Sequence, residues 1–339
     1  MTRRITFILF LLICPLFGLM AQPSIPDVNI QLIGPEQGLP DRNTRSIIQD
    51  KLGFLWLGTR TGLYRYDGYS FENYNGLLLE KNTGSYTVIN DIRIDNKGRL
   101  WVTHENGLAV IDPASLSSKR INLTKYFPKE ILLPATVRIY FDKNNNAWVT
   151  WKEGLVKFNN DISPLFVYRC HNFVTSGTSL DISLFHDDRK GNIYLFAGDN
   201  NLEVISKTGS FKYLLPLPVI ELNKIEYVTR GVLEKTDSSL TLMATNPEAE
   251  KSITVEFNLN KMRIDNASKK LLPLNSPAHI FSDKQGNLWY NNFNEIGYES
   301  RQTGEYYNVA NIIKNRAGEQ LTFFNQTISK DNTLWFCTG

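Results

Sequence analysis

Apolar positions along this chain come in short alternating runs, and the runs recur in a fixed order. A brief apolar stretch, such as Ser46-Ile47-Ile48-Gln49 or Val137-Arg138-Ile139-Tyr140-Phe141, leads into a polar Asp-x-x-Gly segment. A run centred on tryptophan follows, and after a polar break comes Gly-Leu with further aliphatic or aromatic residues. Strict alternation over four to six residues, closed by turn-forming types, reads as antiparallel strands. Asp accepts hydrogen bonds from its own backbone ahead and Gly accepts positive φ, so Asp-x-x-Gly is a tight turn between two strands. A looser stretch such as Tyr69-Ser70-Phe71 supplies a fourth strand.

The unit repeats. Residues 50–63 read DKLGFLWLGTRTGL, residues 95–108 read DNKGRLWVTHENGL and residues 142–155 read DKNNNAWVTWKEGL. Weaker copies start at Asp188 and Asp283, and the chain stops inside SKDNTLWFCTG. The anchors Trp56, Trp101, Trp148 and Tyr194 are spaced 45, 47 and 46 residues apart. The next gap, to Trp289, is 95 residues, so a degenerate copy is expected around Asp237–Thr245, with Thr241 in the tryptophan's place. Such a period with four strands per copy predicts an all-β fold, a seven-bladed β-propeller with its last blade incomplete. The recurrent Asp is expected to be a turn residue, because one carboxylate per loop falls short of the converging oxygens a calcium site needs. The recurrent Trp is expected to be the packing anchor between blades.

The N-terminus departs from this pattern. Arg3 and Arg4 precede an apolar run from Ile5 to Met20, and Ala21 gives way to polar, proline-rich sequence. That order predicts a secretory signal peptide over residues 1–21, with the propeller occupying 22–339 and exported to the periplasm. The run is shorter than a spanning helix needs. Cys14 has Ile13 before it, where a lipoprotein site would have a small residue. Nothing after Gln22 is apolar for long enough to cross a membrane. Cleavage lowers the formal charge from +3 to +1. Lysines and arginines are interspersed with acids, so no basic stripe argues for nucleic acid. Only Cys170 and Cys337 remain, which is no disulfide framework. Stability is expected to come from a large apolar core.

Antiparallel blades put the Asp-x-x-Gly turns on one face. The turns after the second strand share the opposite face with the links between blades. The Asp turns are uniform and read as scaffold, whereas the others vary, and loops on a rigid ring are where binding residues concentrate. The candidate ligand-binding residues there are Arg60, His104, Glu105, Trp151, Lys152 and Asn292. Their charged, amide and aromatic groups suit a polar ligand. No catalytic, metal or cofactor set is expected.

The first copy, residues 34–71, resembles the two-component regulator propeller repeat. The match rests on Gly38-Leu39-Pro40, Asp50-x-x-Gly53-x-x-Trp56-x-Gly58-Thr59, Gly62-Leu63 and Tyr66-Asp67-Gly68. The resemblance implies the periplasmic sensor region of a hybrid histidine kinase of the Bacteroidetes type, responding to oligosaccharides, with a homodimer in the full-length receptor. The family's second propeller, immunoglobulin-like domain, membrane helix and kinase are not in this sequence, which reads as cut within the seventh blade. The strand-like Val28–Ile33 segment is expected to close the ring there.

Two other function classes compete. A streptogramin-type lyase has similar Gly-Asn-Leu-Trp strands, as at residues 286–300, but it needs clustered His and Glu around magnesium. His104, His171, His186 and His279 lie in different copies without motif spacing. A sialidase would need a radial arginine cluster, for which the sequence shows no counterpart. A protein-interaction scaffold is the third class.

Overall fold

The computed structural model describes residues 31–339, apart from 80–86, 106, 127–136, 143, 152–153, 171–185, 188–190, 197–200, 218, 236–237, 247, 275–278, 293, 318–320 and 339. The expected signal peptide, most of the Val28–Ile33 segment, Lys152 and His171 therefore lie outside the described residues, as do the side chains of His186 and His279. Gln31–Ile33 carry no strand.

Leu32–Gly339 is one compact unit built of antiparallel sheets in chain order. Blade 1 is β1 (Thr44–Gln49), β2 (Leu55–Thr59), β3 (Leu63–Tyr66) and β4 (Phe71–Asn73). Blade 2 is β5 (Ile89–Ile94), β6 (Leu100–His104), β7 (Gly107–Asp112) and β8 (Ser117–Ile121). Blade 3 is β9 (Arg138–Phe141), β10 (Ala147–Trp151), β11 (Gly154–Phe158) and β12 (Pro164–Arg169). Blade 4 is β13 (His186–Asp187), β14 (Asn192–Phe196), β15 (Asn201–Ser206) and β16 (Phe211–Pro216).

Blade 5, where the repeat is degenerate, has five strands: β17 (Ile220–Leu222), β18 (Ile225–Lys235), β19 (Ser239–Asn246), β20 (Lys251–Asn258) and β21 (Arg263–Leu271). Thr241 lies in β19, the strand that holds the tryptophan elsewhere, and its hydroxyl donates to Glu256 Oε1 at 2.5 Å. Blade 6 is β22 (His279–Ser282), β23 (Leu288–Asn291), β24 (Ile296–Glu299) and β25 (Tyr306–Asn308). Helix α1 (Ala310–Ala317) links it to a two-stranded sheet of β26 (Phe323–Ile328) and β27 (Leu334–Thr338). The propeller thus has six complete blades rather than seven, and the seventh sheet has two strands.

The apolar core sits between blades. Trp56 packs with Ile89, Ile92 and Val102 of blade 2, and Trp101 joins Trp148, Val156 and Phe158 of blade 3. Each fully buried indole contributes about 2–3 kcal/mol. Gly58 is required by this closeness, since a Cβ there would lie 2.5 Å from Ile89. The last sheet packs on the first blade through Cys337 and Trp335 against Leu39, Ile47 and Leu55. Cys170 and Cys337 lie in different apolar clusters and are not joined to each other.

The Asp turns have a second job. Asp50 Oδ1 accepts the Leu52 and Phe54 backbone N–H groups, while Oδ2 accepts Trp56 Nε1 at 2.8 Å. The carboxylates of Asp95, Asp142 and Asp283 hold Trp101, Trp148 and Trp289 likewise, at 3.0, 3.1 and 2.9 Å. The fourth turn residue has positive φ, as Gly in Gly53, Gly98 and Gly286 and as Asn in Asn145 and Asn332. Adjacent turns are also bonded to each other. Asn96 N–H donates to Asn145 Oδ1, Lys284 N–H to Asn332 Oδ1, and Lys51 Nζ to the Asn96 carbonyl. Lys330 N–H reaches Gln49 Oε1 across the closure.

Candidate functional site

The Asp-turn face carries bonds between blades, and the expected ligand residues belong to the other end of the ring. The inner strands β1, β5 and β9 start there, and the turn between β2 and β3 ends there.

Neighbouring inner strands are stitched to one another. Ser46 Oγ accepts the Ile92 N–H at 3.0 Å, and Asp91 Oδ2 accepts the Ile139 N–H at 3.1 Å. Asp91, buried, also takes Arg93 Nε at 3.1 Å. These contacts fix β5 between β1 and β9. Above them β1 and β5 each bulge. Thr44 faces Thr59 and Ser46 faces Gly58, leaving Arg45 as the extra residue. Ile89 faces His104 and Asp91 faces Thr103, leaving Asn90 at the same level of blade 2. Arg138 opens β9 opposite Thr150.

Arg45 therefore stands beside the end of β2, where the next residue is Arg60. The Arg60 turn is held by Thr59 Oγ1, which accepts the Thr61 and Gly62 N–H groups at 3.0 and 3.1 Å. Asn75 pins it from the other side, taking Leu63 N–H on Oδ1 at 2.8 Å and giving Nδ2 to the Thr61 carbonyl at 2.9 Å. Arg60 is exposed, whereas Arg45 and Arg138 are half-buried. Burial first, and then the positive charges of Arg60 and Arg138, hold the Arg45 guanidinium below its ordinary value, against an opposing pull from Asp41. Among the described residues, none of these three guanidiniums makes a hydrogen bond or ion pair. Two buried acceptors are also unsatisfied: Asn90, 4% exposed, has no partner for Oδ1, and Asp41 has none for Oδ2.

The other expected ligand residues fare differently. His104 and Trp151 are not loop residues but the last residues of β6 and β10, and both are buried. The His104 imidazole, beside Thr87 Oγ1 at 3.3 Å, is pushed down to about 4 by burial, with the charge of Arg120 second. It is a neutral packing group at physiological pH. Glu105 is half-buried just past β6, its N–H on the Val88 carbonyl. Asn292 closes its own turn, with Oδ1 accepting the Glu295 and Asn294 N–H groups. Lys152 lies outside the described residues. The charges of Arg60 and Arg138 act on Arg45, and of these three only Arg60 was legible as a candidate. The signal that could have found the others is an arginine within a strand whose neighbours are apolar or small.

Among the described residues no group of three or more His, Cys, Asp or Glu is placed to hold a metal ion. No helix among them is long and apolar enough to cross a membrane.

Residues 38–61, the start of blade 1 with its Asp turn and tryptophan, match the family model described as two component regulator propeller. No curated protein matches the sequence. Among solved structures, the chain is similar to the extracellular domain of a putative hybrid two component system from B. thetaiotaomicron, with 20% identity, a TM-score of 0.62 and coverage of 91% of this chain and 40% of that one. A second such domain from the same organism gives 18% identity, a TM-score of 0.60, and coverage of 91% and 38%. YCF48 from Cyanidioschyzon merolae gives 10% identity, a TM-score of 0.58, and coverage of 89% and 94%. This chain spans about two fifths of the length of the two bacterial domains.

Proposed function

We propose that this chain is the periplasmic ligand-sensing propeller of a two-component regulator, binding oligosaccharides and carrying no catalysis of its own. The observation behind this reading is the matched repeat, which forms the first blade of a propeller whose fold is shared over 91% of the chain with the extracellular domain of a putative hybrid two component system. In that reading residues 1–21 direct export, residues 22–339 form the sensor, and β26–β27 is the inner half of a seventh blade. The whole receptor acts as a homodimer anchored in the inner membrane. Sensing requires two states that the ligand stabilises unequally. A ring whose turns are bonded from blade to blade supports this reading as a fixed frame for the binding half of that device.

The test is a thermal-shift screen of the purified chain against oligosaccharides at millimolar concentration. A ligand that binds only the folded state raises Tm saturably, by mass action. A saturable shift with unmodified sugar recovered afterwards supports sensing. Turnover of the sugar, or no shift across the panel from well-folded protein, overturns it.

A further inference from the structure

Each inner strand sets one residue directly across from the anchor of its blade, so these residues share one level around the axis of the ring. In blades 2 and 3 they are Arg93, across from Trp101, and Tyr140, across from Trp148. His186 and Glu234 hold the same register position in β13 and β18. In blade 1, blade 6 and the last sheet the position passes to Ile48, Phe281 and Thr327. One arc of the level thus carries charged or titratable types and the other uncharged ones. Ile48, Arg93 and Tyr140 are half-buried, whereas Ile47, Ile92 and Ile139, one residue earlier, are buried. No strand lies inside β1, β5 or β9 in their sheets, so solvent reaches this level along the axis.

Arg93 is held there by one edge only. Its Nε donates to Asp91 Oδ2 at 3.1 Å, and that carboxylate is fixed in turn by the Ile139 N–H of the next blade at 3.1 Å. The Asp91 side chain is 1% exposed, yet that of Arg93 is 41% exposed. Among the described residues the two Nη groups of Arg93 make no hydrogen bond or ion pair. A guanidinium anchored through Nε keeps a flat pair of donors free, the pair that grips a carboxylate two at a time. Keeping it where Ile48 serves in blade 1 costs stability unless a ligand gains from it. We infer that Arg93 anchors a carboxylate-binding site on the axis of the ring. Asp91 is its positioning residue, and the uncharged arc that begins at Ile48 takes the body of the acid. The site goes beyond the sensing reading above and stands without it. It is set before a ligand arrives, because Asp91 ties β5 to β9.

The experiment titrates the full chain with galacturonate, hexanoate and glucose at neutral pH, following Tm and heat of binding. An acid is expected to bind saturably, about tenfold or more tighter than glucose, and more weakly as salt rises. Binding of both acids marks a site for the carboxylate itself, galacturonate alone a sugar acid, and hexanoate alone an apolar acid; each of these upholds the site. Arg93→Lys keeps a cation beside Asp91 but loses the flat pair of donors. It is expected to melt close to wild type and to weaken acid binding by about tenfold or more, the scale of a lost charge-assisted hydrogen bond. Arg93→Met removes the cation as well and is expected to abolish binding, with the lysine variant deciding the matter if the methionine chain does not fold. Neither acid raising Tm, glucose binding as tightly as the acids, or acid binding unchanged in Arg93→Lys would overturn the assignment.

Discussion

Thr44 and Thr338, 294 residues apart, hold each other through one hydroxyl: Thr44 Oγ1 donates to the Thr338 carbonyl and accepts the Thr338 N–H, each at 3.2 Å. The first strand of the first blade thereby fastens the last strand of the last sheet, and both lie beside the Leu39, Ile47 and Cys337 core. A ring gains nothing from its last interface until the chain has come full circle, so this contact is of high sequence separation and closes late. Thr44→Val keeps the shape but leaves the Thr338 N–H unpaired. It is expected to cost about 1–3 kcal/mol in urea unfolding, and Thr44→Ser to cost less. Equal stabilities for wild type and Thr44→Val would show that the closure does not depend on this pair.

The last sheet also lacks a bond that Trp56, Trp101, Trp148 and Trp289 have. Six residues before Trp335 stands Ser329 instead of Asp, and Trp335 Nε1 has no partner. Ser329→Asp, combined with Asp331→Asn to avoid a second carboxylate two residues away, supplies the missing acceptor. It is expected to raise stability by about 1 kcal/mol. Asp95→Ala removes the same bond from buried Trp101 and is expected to lower stability by about 2–3 kcal/mol. Melting curves of the two variants should move in opposite directions.

Acid should find His104 first. Its pKa falls from 6.5 to about 4 on burial, so between those values the unfolded chain takes up a proton that the folded chain refuses. Stability is therefore complete above pH 6.5, falls as pH drops toward about 4, and below that carries a constant penalty of about 3 kcal/mol from this group. The carboxyls of Asp142 and Asp283 act lower. Burial raises each, but hydrogen bonds to Asn146 and Lys157, and to Trp289 and Asn287, outweigh it and hold both below the usual range. Their contribution is present above the ordinary carboxyl pKa and is lost as pH falls through the depressed values. His104→Gln is expected to flatten the Tm profile between pH 6.5 and 4. A profile identical to wild type would place the titration elsewhere.

The Arg60 turn depends on Asn75. A Cβ at Gly62, where φ is +144°, would lie 1.9 Å from Asn75 Oδ1, so turn and amide are built to each other. Asn75→Ala orphans the Leu63 N–H and the Thr61 carbonyl and is expected to cost about 2 kcal/mol. Urea unfolding checks it, and a variant as stable as wild type would show that the turn does not depend on this amide.

Much of the fold was legible because it is periodic. Trp56, Trp101 and Trp148 mark one register position at a nearly constant spacing, and Asp with Gly or Asn marks the turn, since both types are dictated by local backbone demands. The blade count was overestimated because spacing reports the second strand of each copy and not how many strands accompany it. Blade 5 was the least readable, because long strands there replace the tryptophan with packing that no single residue announces.

Of the charged groups at that end of the ring, Arg60 was legible, on a loop that varies between copies. Arg45 and Arg138 are 93 residues apart, embedded in strands whose pattern reads as core. His104 and Trp151 looked like loop residues because the strands run one residue further than the motif does. The sequence by itself determined the repeat, the turns and the anchors, which are governed by contacts within one blade. Only the tertiary structure decided which inner-strand residues lie level with one another, because β1, β5 and β9 are bonded side by side through Ser46 and Asp91. Such bonds join residues 46 and 48 positions apart, so no pattern within one copy announces them.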